Sequence, residues 1–423
     1  MSAPQTLAEA ISCLSDYDPN ALPVARAREI IDRVVVPVEA VERVALRSAL
    51  GRVLAEDIAS PFDVPASDNS AMDGYAVRAA DLAPDAPTTL RIAGTALAGR
   101  PFDGAAGPGE AVRVTTGAVM PAGFDTVVIQ EIVKIDGDRL TVPPGQQQGQ
   151  HRRLRGEDLS RGKPALLAGK RLAPADLGLL ASLGFAEVPL WRRLRVAFFS
   201  TGDELRSVGE PLTPGTLYDS NRYTIFGMLA RLGVDVVDMG VVRDDPESLE
   251  RAVRIAAQSA DAIVSSGGVS VGEADFTKRV MGKLGDIAFW TIAMRPGRPM
   301  AFGRIGRTSY FGLPGNPVAV MITFYFFARD ALLRQMGAEP SPLPFVRARS
   351  LSAFRKRPGR TEYQRARLAH EADGTMSVRS FGSQGSGVLR SMSEANCVVV
   401  LHHDQGPVAV GDPVDCVAFE GLV

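Results

Sequence analysis

Cysteine is nearly missing from this chain: Cys13, Cys397 and Cys416 are the three in 423 residues. So few, so far apart, exclude a disulfide framework or a thiolate metal cluster. They read as buried or idle thiols of a reducing compartment. An excess of one charge is missing too. The formal net charge is -1, so the overall basic bias of a nucleic-acid binder is not there. Long apolar runs are also lacking. The most apolar stretch, Val318 to Ala328, is about half the length that crosses a bilayer and reads as a buried helix. The opening MSAPQTLAEAISCLSDYDP has neither the basic start nor the apolar core of a signal peptide. No repeats or low-complexity tracts stand out. The expectation is a cytoplasmic protein with no membrane and no nucleic acid as partner.

What is present is enough apolar material, 45% of residues, to fill several cores, and a length that suggests three or four domains. Residues 1–59 carry helical spacing in Leu7, Ile11 and Leu14, in Ala27, Ile30, Ile31 and Val34, and over Val41 to Ala55. From about 75 to 150, short apolar runs (90–93, 111–115, 126–129, 140–142) alternate with turn residues. That texture predicts a small antiparallel β domain. Helical character returns over 164–192, with Pro174 near a helix start and Gly184 near its end. This segment is expected to pack back on the N-terminal helices, making their domain discontinuous.

The most regular stretch follows. Strands at 194–199, 234–242, 261–265, 287–293 and 310–313 alternate with helices from about Asn221 to Leu232, after Asp245-Pro246, after Gly272 and over 317–336. Such alternation predicts a parallel sheet covered on both faces. Pro340, Pro342 and Pro344 mark a linker. Beyond it, β-type runs at 362–368, 376–380, 397–401 and 414–419, with no convincing helix, predict a small β barrel or sandwich.

Ligands of a parallel α/β sheet bind beyond the carboxyl ends of its strands. Three loops fall there: Ser200-Thr201-Gly202-Asp203-Glu204, Asp244-Asp245, and Gly267-Gly268-Val269-Ser270-Val271-Gly272 with Asp275 just after it. Backbone amides of a glycine loop opening a helix suit a phosphate. The loop has neither the Gly-Lys-Ser/Thr of a Walker A motif nor the spacing of a dinucleotide fingerprint, so an ATPase or NAD enzyme is unsupported. Met294-Arg295-Pro296-Gly297-Arg298-Pro299 offers two guanidinium forks for an oxyanion. In Gly312-Leu313-Pro314-Gly315-Asn316-Pro317, Asn316 suits a helix N-cap and Pro317 a first helical position. Between 345 and 370 lie eight basic side chains, Arg360 and Arg365 among them. They serve solubility or an anion site. Arg152, Arg153 and Arg155 beside Glu157-Asp158 share that ambiguity, and the polar loop Asp68 to Asp73 holds more hydrogen-bonding capacity than a plain connection needs.

Taken in order, nine segments resemble the molybdopterin molybdenumtransferase family, which includes the E domain of gephyrin. They are DNSAMDGYAVR (68–78), RVTTGAVMP (113–121), RRLRGEDL (152–159), FSTGDEL (199–205), YDSNR (218–222), RDDP (243–246), SSGGVSVGEAD (265–275), RPGRP (295–299) and GLPGNPV (312–318). The resemblance implies a multidomain α/β and β protein of four regions. These are a discontinuous elongated domain (1–59 plus 160–192), an inserted β domain (60–159), an α/β molybdopterin-binding domain (193–339) and a C-terminal β barrel (340–423). It implies a homodimer with its site between subunits, and a reaction that inserts molybdenum from molybdate into adenylylated molybdopterin and releases AMP. The molybdopterin adenylyltransferase is a further candidate partner.

Carried over by motif, Asp73, Thr116, Asp158, Glu204, Asp244 and Asp275 stand at positions the family uses around its site. Gly267, Gly268, Ser270, Arg295, Arg298, Pro314, Asn316 and Pro317 are assigned to substrate binding. Arg365 and Ser386 match positions associated with oxyanion binding. Carboxylates cannot donate to an anion, so Asp73, Glu204, Asp244 and Asp275 are expected to hold Mg²⁺ or place a water. Arg295 and Arg298 replace lysines of many relatives, which keeps the charge and changes the donor geometry. Thr291 stands where some relatives carry lysine. Two rival readings are an adenylyltransferase acting on molybdopterin itself and a non-catalytic scaffold of the same fold.

Overall fold

The computed structural model describes residues 6–12, 14, 17–269, 275–339 and 342–422, with the side chains of Asp275 and Phe276 left out. The chain forms two compact units. One comprises residues 56–168 and 178–186, the other the residues before, between and after them.

The larger unit is built on a six-stranded sheet in the order Asp235–Val242, Arg195–Thr201, Ala262–Ser266, Thr308–Leu313, Pro299–Ile305, Asp286–Thr291. The first four strands are parallel. Pro299–Ile305 runs antiparallel to both its neighbours, so the sheet is mixed where an all-parallel one was expected. The difference lies in Pro299–Ile305, a strand hidden in sequence behind the glycine and proline of the basic loop. It pairs with its neighbour through the tight turn at Gly306, whose φ is 59°.

Alternation along each strand explains the two covered faces. Val196, Phe198 and Val264 enter a core with Ile225 and Leu229 of the helix Ser220–Leu232. Ala197, Phe199 and Ile263 enter a second core with Leu249, Val253 and Ala256 of the helix Pro246–Ser259. Both helices begin as their sequences dictate. Asp219 accepts from the Arg222 amide at 3.1 Å, and Asp245 accepts from the Ser248 amide at 2.9 Å. Gly233, at φ 83°, closes the first helix in the left-handed region. The expected long helix over 317–336 is α-helical at Pro317–Thr323 and Arg329–Gln335, with a π turn at Phe324–Ala328 between.

The C-terminal strands close a five-stranded barrel, Thr361–His370, Met376–Ser380, Phe345–Ser350, Pro413–Ala418 and Cys397–Leu401, which returns to Thr361–His370. A short helix, Arg390–Glu394, corrects the helix-free reading of this region. Cys397 and Cys416 are free and buried in the barrel core, while Cys13 lies outside the described residues. Met294–Arg295 adds to the barrel beside Thr361–His370, so the basic loop is held by the barrel wall.

Helical spacing misled the reading in two other places. Val41–Ala45 is a strand, followed by one 3-10 turn at Leu46–Ser48. It pairs antiparallel with Glu187–Trp191, which lies in a stretch also read as helical. In 164–192, the helix is confined to Pro174–Ser182. β-branched residues paired across more than a hundred positions overrode the local pattern.

The smaller unit carries a six-stranded sheet in the order Thr126–Ile129, Gly74–Val77, Glu110–Val114, Thr88–Ala96, Arg139–Val142, Lys134–Asp136. One pair, Thr88–Ala96 with Glu110–Val114, is parallel, which corrects the purely antiparallel expectation. Gly74 has no room for a side chain, because a Cβ there would stand 2.1 Å from the Val128 carbonyl oxygen. Among the described residues no helix is long and apolar enough to cross a membrane.

Phe198 is fully buried between the central sheet and its covering helix. Phe198→Ala is expected to lower unfolding free energy by about 3–5 kcal/mol, read as a shift of the urea midpoint at constant slope. A change under 1 kcal/mol would count against a shared, tightly packed core.

Candidate functional site

The carboxyl ends of Arg195–Thr201, Ala262–Ser266 and Thr308–Leu313 open into a cavity of about 600 Å³. Its floor is made by close backbone approach. Gly267 and Gly268 sit at φ 91° and 68°, and a Cβ on Gly267 would lie 2.5 Å from the Thr201 carbonyl oxygen. Glycine is therefore required for this contact. Asn221, in the first turn of its helix, ties the loops together. Its Nδ2 donates to Ser266 Oγ at 2.9 Å and to the Gly315 carbonyl at 2.7 Å. Ser266 Oγ donates onward to the Pro314 carbonyl at 3.3 Å.

One side of the cavity is acidic and another basic. Glu204 and Asp244 line it, and Asp203 accepts from the Asp244 amide at 3.4 Å. Arg295, Arg298 and Arg360 also line it. Arg295 and Arg298 are exposed and form no ion pair among the described residues, so their donors are available to a ligand. Arg360 is held by Glu362, a carboxylate only 3% exposed, through a 2.9 Å bond from Nε. Pro314 and Asn316 line the same cavity, as do Gln384 and Ser386 of the barrel. Asn316 occupies the N-cap position, with Pro317 first in the helix, but its side chain makes no cap bond. The capping role expected of its amide is thus not taken up. The Val318 amide donates instead to the Ser386 carbonyl at 3.1 Å, joining the barrel loop to the helix start.

Arg365 requires a correction. It was expected to hold an oxyanion, yet it is 0% exposed and stands behind the loop that lines the cavity. Its Nε donates to Ser391 Oγ at 3.0 Å, and a terminal nitrogen donates to the Ser383 and Gly385 carbonyls at 2.9 Å each. Burial, and less strongly the charge of Arg295, lower its pKa. Its donors hold the loop that presents Gln384 and Ser386. In sequence Arg360 is only one member of a basic run, and nothing there singles out Asn221, Thr201 or Gln384. Alternation along Thr361–His370 is the missed signal, since it puts Arg365 on the buried face of Tyr363, opposite Ala366 in the barrel core. Thr291 is engaged through its backbone with Pro19 and Leu22 and does not line the cavity.

Ser270 and the Asp275 side chain lie outside the described residues. Asp73, Thr116 and Asp158 belong to the smaller unit. Two of these come together there: Thr116 donates from its amide at 2.7 Å and from Oγ1 at 2.8 Å to Asp73 Oδ1. Asp158 is exposed, and its amide donates to the Val64 carbonyl at 3.0 Å. Among the described residues no three His, Cys, Asp or Glu side chains gather as a ready metal cage.

Comparison with known proteins gives this geometry its family. Residues 22–184 match the MoeA N-terminal region (domain I and II), 197–334 a probable molybdopterin binding domain, and 347–419 the MoeA C-terminal region (domain IV). A molybdopterin molybdenumtransferase of Haemophilus influenzae is 41% identical over 384 residues, covering 90% of this chain and 95% of that protein. The chain belongs to the molybdopterin molybdenumtransferase family. A Bacillus subtilis protein of the same name is 33% identical, covering 85% of each chain. The fold agrees: a molybdopterin biosynthesis protein of Pyrococcus horikoshii superposes with a TM-score of 0.82 at 28% identity, over 95% of this chain and all of that one. Its relatives are named as transferases, and the chain is an enzyme of that class.

The Thr116 amide, then its hydroxyl, hold the Asp73 carboxyl below the usual carboxylate range. A depressed carboxyl stabilises the fold above its unfolded pKa near 4, and that contribution fades as pH falls through the folded value. Thr116→Val removes the hydroxyl bond and leaves the amide bond. The Asp73 pKa should therefore rise part of the way toward about 3.9, followed by its carboxyl carbon shift against pH. An unmoved titration would show that the hydroxyl bond does not form in solution.

Proposed function

We propose that this chain inserts molybdenum from molybdate into adenylylated molybdopterin with release of AMP. The observation that carries the reading is the sided cavity. One wall offers arginine forks to anions, another offers carboxylates, and the floor is an open-backbone glycine loop at strand carboxyl ends. The substrate needs such a division, because its pyrophosphate and molybdate are anions, while cleavage of the anhydride calls for a positioned water or metal. The names of the relatives support the same reaction.

Mg²⁺ fits the donor set in the manner usual for that ion, with one or two carboxylates and substrate oxygens completing the shell. Glu204 and Asp244 would hold it, with Asp275 as a further ligand, and it would neutralise charge developing on the pyrophosphate. Arg295, Arg298 and Arg360 hold the oxyanions, and Glu362 fixes the direction of Arg360. Arg365 acts by positioning Ser386. In this reading the four-region division holds, and the protein works as a cytoplasmic homodimer in which Asp73 of the partner subunit completes the site. The molybdopterin adenylyltransferase delivers the substrate.

AMP release from adenylylated molybdopterin is expected to need both molybdate and a divalent metal. Arg298→Ala should raise the molybdate concentration for half-maximal release by about tenfold to a hundredfold, the value of one charge-assisted hydrogen bond at about 1.5–3 kcal/mol. Full release in a strong chelator would remove the metal from the mechanism, and an unchanged molybdate requirement would remove Arg298.

Asp73→Ala and Glu204→Ala chains, each inactive alone, should regain part of the activity when mixed, since one of the two sites in the heterodimer would be intact. If subunit exchange is confirmed and activity stays absent, both acids act within one chain or the site is not shared.

A further inference from the structure

The basic run between 345 and 370 is only partly used by the cavity. Arg360 lines it and Arg365 supports its loop, while Arg349 and Arg367 do neither. Strand register brings these two together with a third arginine from beyond the run. Arg367 and Arg379 stand directly opposite each other in the antiparallel pair of Thr361–His370 with Met376–Ser380. On the other side of Met376–Ser380, Arg349 stands opposite Ser377, two residues from Arg379. Their chain neighbours Ala348, Leu368 and Val378 face the barrel core, so the three arginines share its outer wall. All three are exposed, and none forms an ion pair or a side-chain hydrogen bond among the described residues. Acids fringe this patch. Glu371 accepts from the Ser377 hydroxyl, and Arg347, next along the wall, stands opposite Asp415. The Asp373 carboxyl is held low first by the Thr375 hydroxyl and amide, and in smaller part by Arg349.

Like charges directly opposite across two strands destabilise a sheet. Solubility does not call for that placement, since the same charges spread apart serve it as well. Nor do these side chains guard a sheet edge, because the barrel is closed. An anionic partner would relieve the repulsion. A small anion is a poor match: the outer wall of a barrel is convex, and exposed ion pairs are weak one at a time. Several carboxylates presented together add their contacts. A nucleic acid is a continuous polyanion, and the acids at the rim and the formal net charge of -1 oppose its path beyond the patch. We propose that Arg349, Arg367 and Arg379 form a docking surface for an acidic segment of a partner protein. Arg367 lies roughly 20 Å along its strand from Arg360, so this surface is separate from the cavity. Such a surface favours rapid, salt-sensitive association over tight holding.

The test follows the fluorescence anisotropy of a labelled glutamate peptide of about ten residues, added to the full-length protein at low ionic strength. Wild type should bind the peptide and release it as salt is raised. Arg349→Gln, Arg367→Gln and Arg379→Gln should each weaken binding by about threefold, and the triple variant by about tenfold or more. Arg298→Gln, which removes a cation of the cavity, should leave peptide affinity unchanged. A single-stranded DNA of matching charge should bind more weakly than the peptide. Arg367→Gln should melt no lower than wild type, since it removes one member of an opposed pair. An unchanged affinity in the triple variant, or an equal loss in Arg298→Gln, would overturn the docking surface. DNA held more tightly than the peptide through the same three arginines would overturn the choice of partner, as would a triple variant that sediments as a smaller species than wild type, which would assign the wall to a second copy of the chain. A lower melting temperature in Arg367→Gln would remove the repulsion from which the partner is inferred, and would overturn it too. None of these measurements involves adenylylated molybdopterin, so their outcome is independent of the reaction proposed above.

Discussion

Two hydrogen bonds from one amide hold the site together. Asn221 begins the helix Ser220–Leu232, and its Nδ2 reaches Ser266 at the end of one strand and Gly315 after another. Parallel strands end with splayed loops, because each chain leaves the sheet for a different helix. A single buried donor with two hydrogens draws two of those loops to one point. The third approaches through backbone, with Gly267 close enough to Thr201 that any side chain would collide. The cavity is the space that these contacts leave open, and its walls inherit their chemistry from which residue types follow each strand.

Opposite charges can face one cavity because each side is anchored differently. Arg360 is oriented by Glu362, whose carboxylate is buried in the barrel wall. Arg295 is held through its backbone, which pairs with Thr361–His370 and leaves the guanidinium exposed. The acids come from loops of the central sheet, so neither wall depends on neutralising the other. Arg295 and Arg298 bring bidentate forks, which suit flat or tetrahedral oxyanions.

The barrel contributes to the site through one loop. Arg365 reaches from a barrel strand to the Ser383 and Gly385 carbonyls and to Ser391, and the next residue in that loop, Ser386, accepts through its carbonyl from the Val318 amide at the start of the helix Pro317–Thr323. A guanidinium suits this task because its planar donors satisfy several carbonyls at once, and its charge persists even when burial lowers its pKa. The same residue type thus presents an exposed guanidinium to the cavity at Arg298 and serves as an internal strut at Arg365.

Local chemistry was legible from the chain alone. The glycine pair 267–268, the basic loop 295–299, the acids 204 and 244 and the Pro314-Gly315-Asn316-Pro317 turn all line or shape the cavity, because short-range patterns of glycine, proline and charge act where they are written. The central helices and four of the five barrel strands followed from periodicity for the same reason, while Phe345–Ser350 did not. What depended on distant partners was not legible. Val41–Ala45 became a strand by pairing with Glu187–Trp191, and the Arg365 guanidinium turned inward while Arg360 faced the cavity. The Asn221 amide spent its hydrogens on residues 45 and 94 positions away. A sequence determines which groups can bond. Only the folded chain decides which of them do, because each bond is chosen by burial and by neighbours that long loops bring from elsewhere.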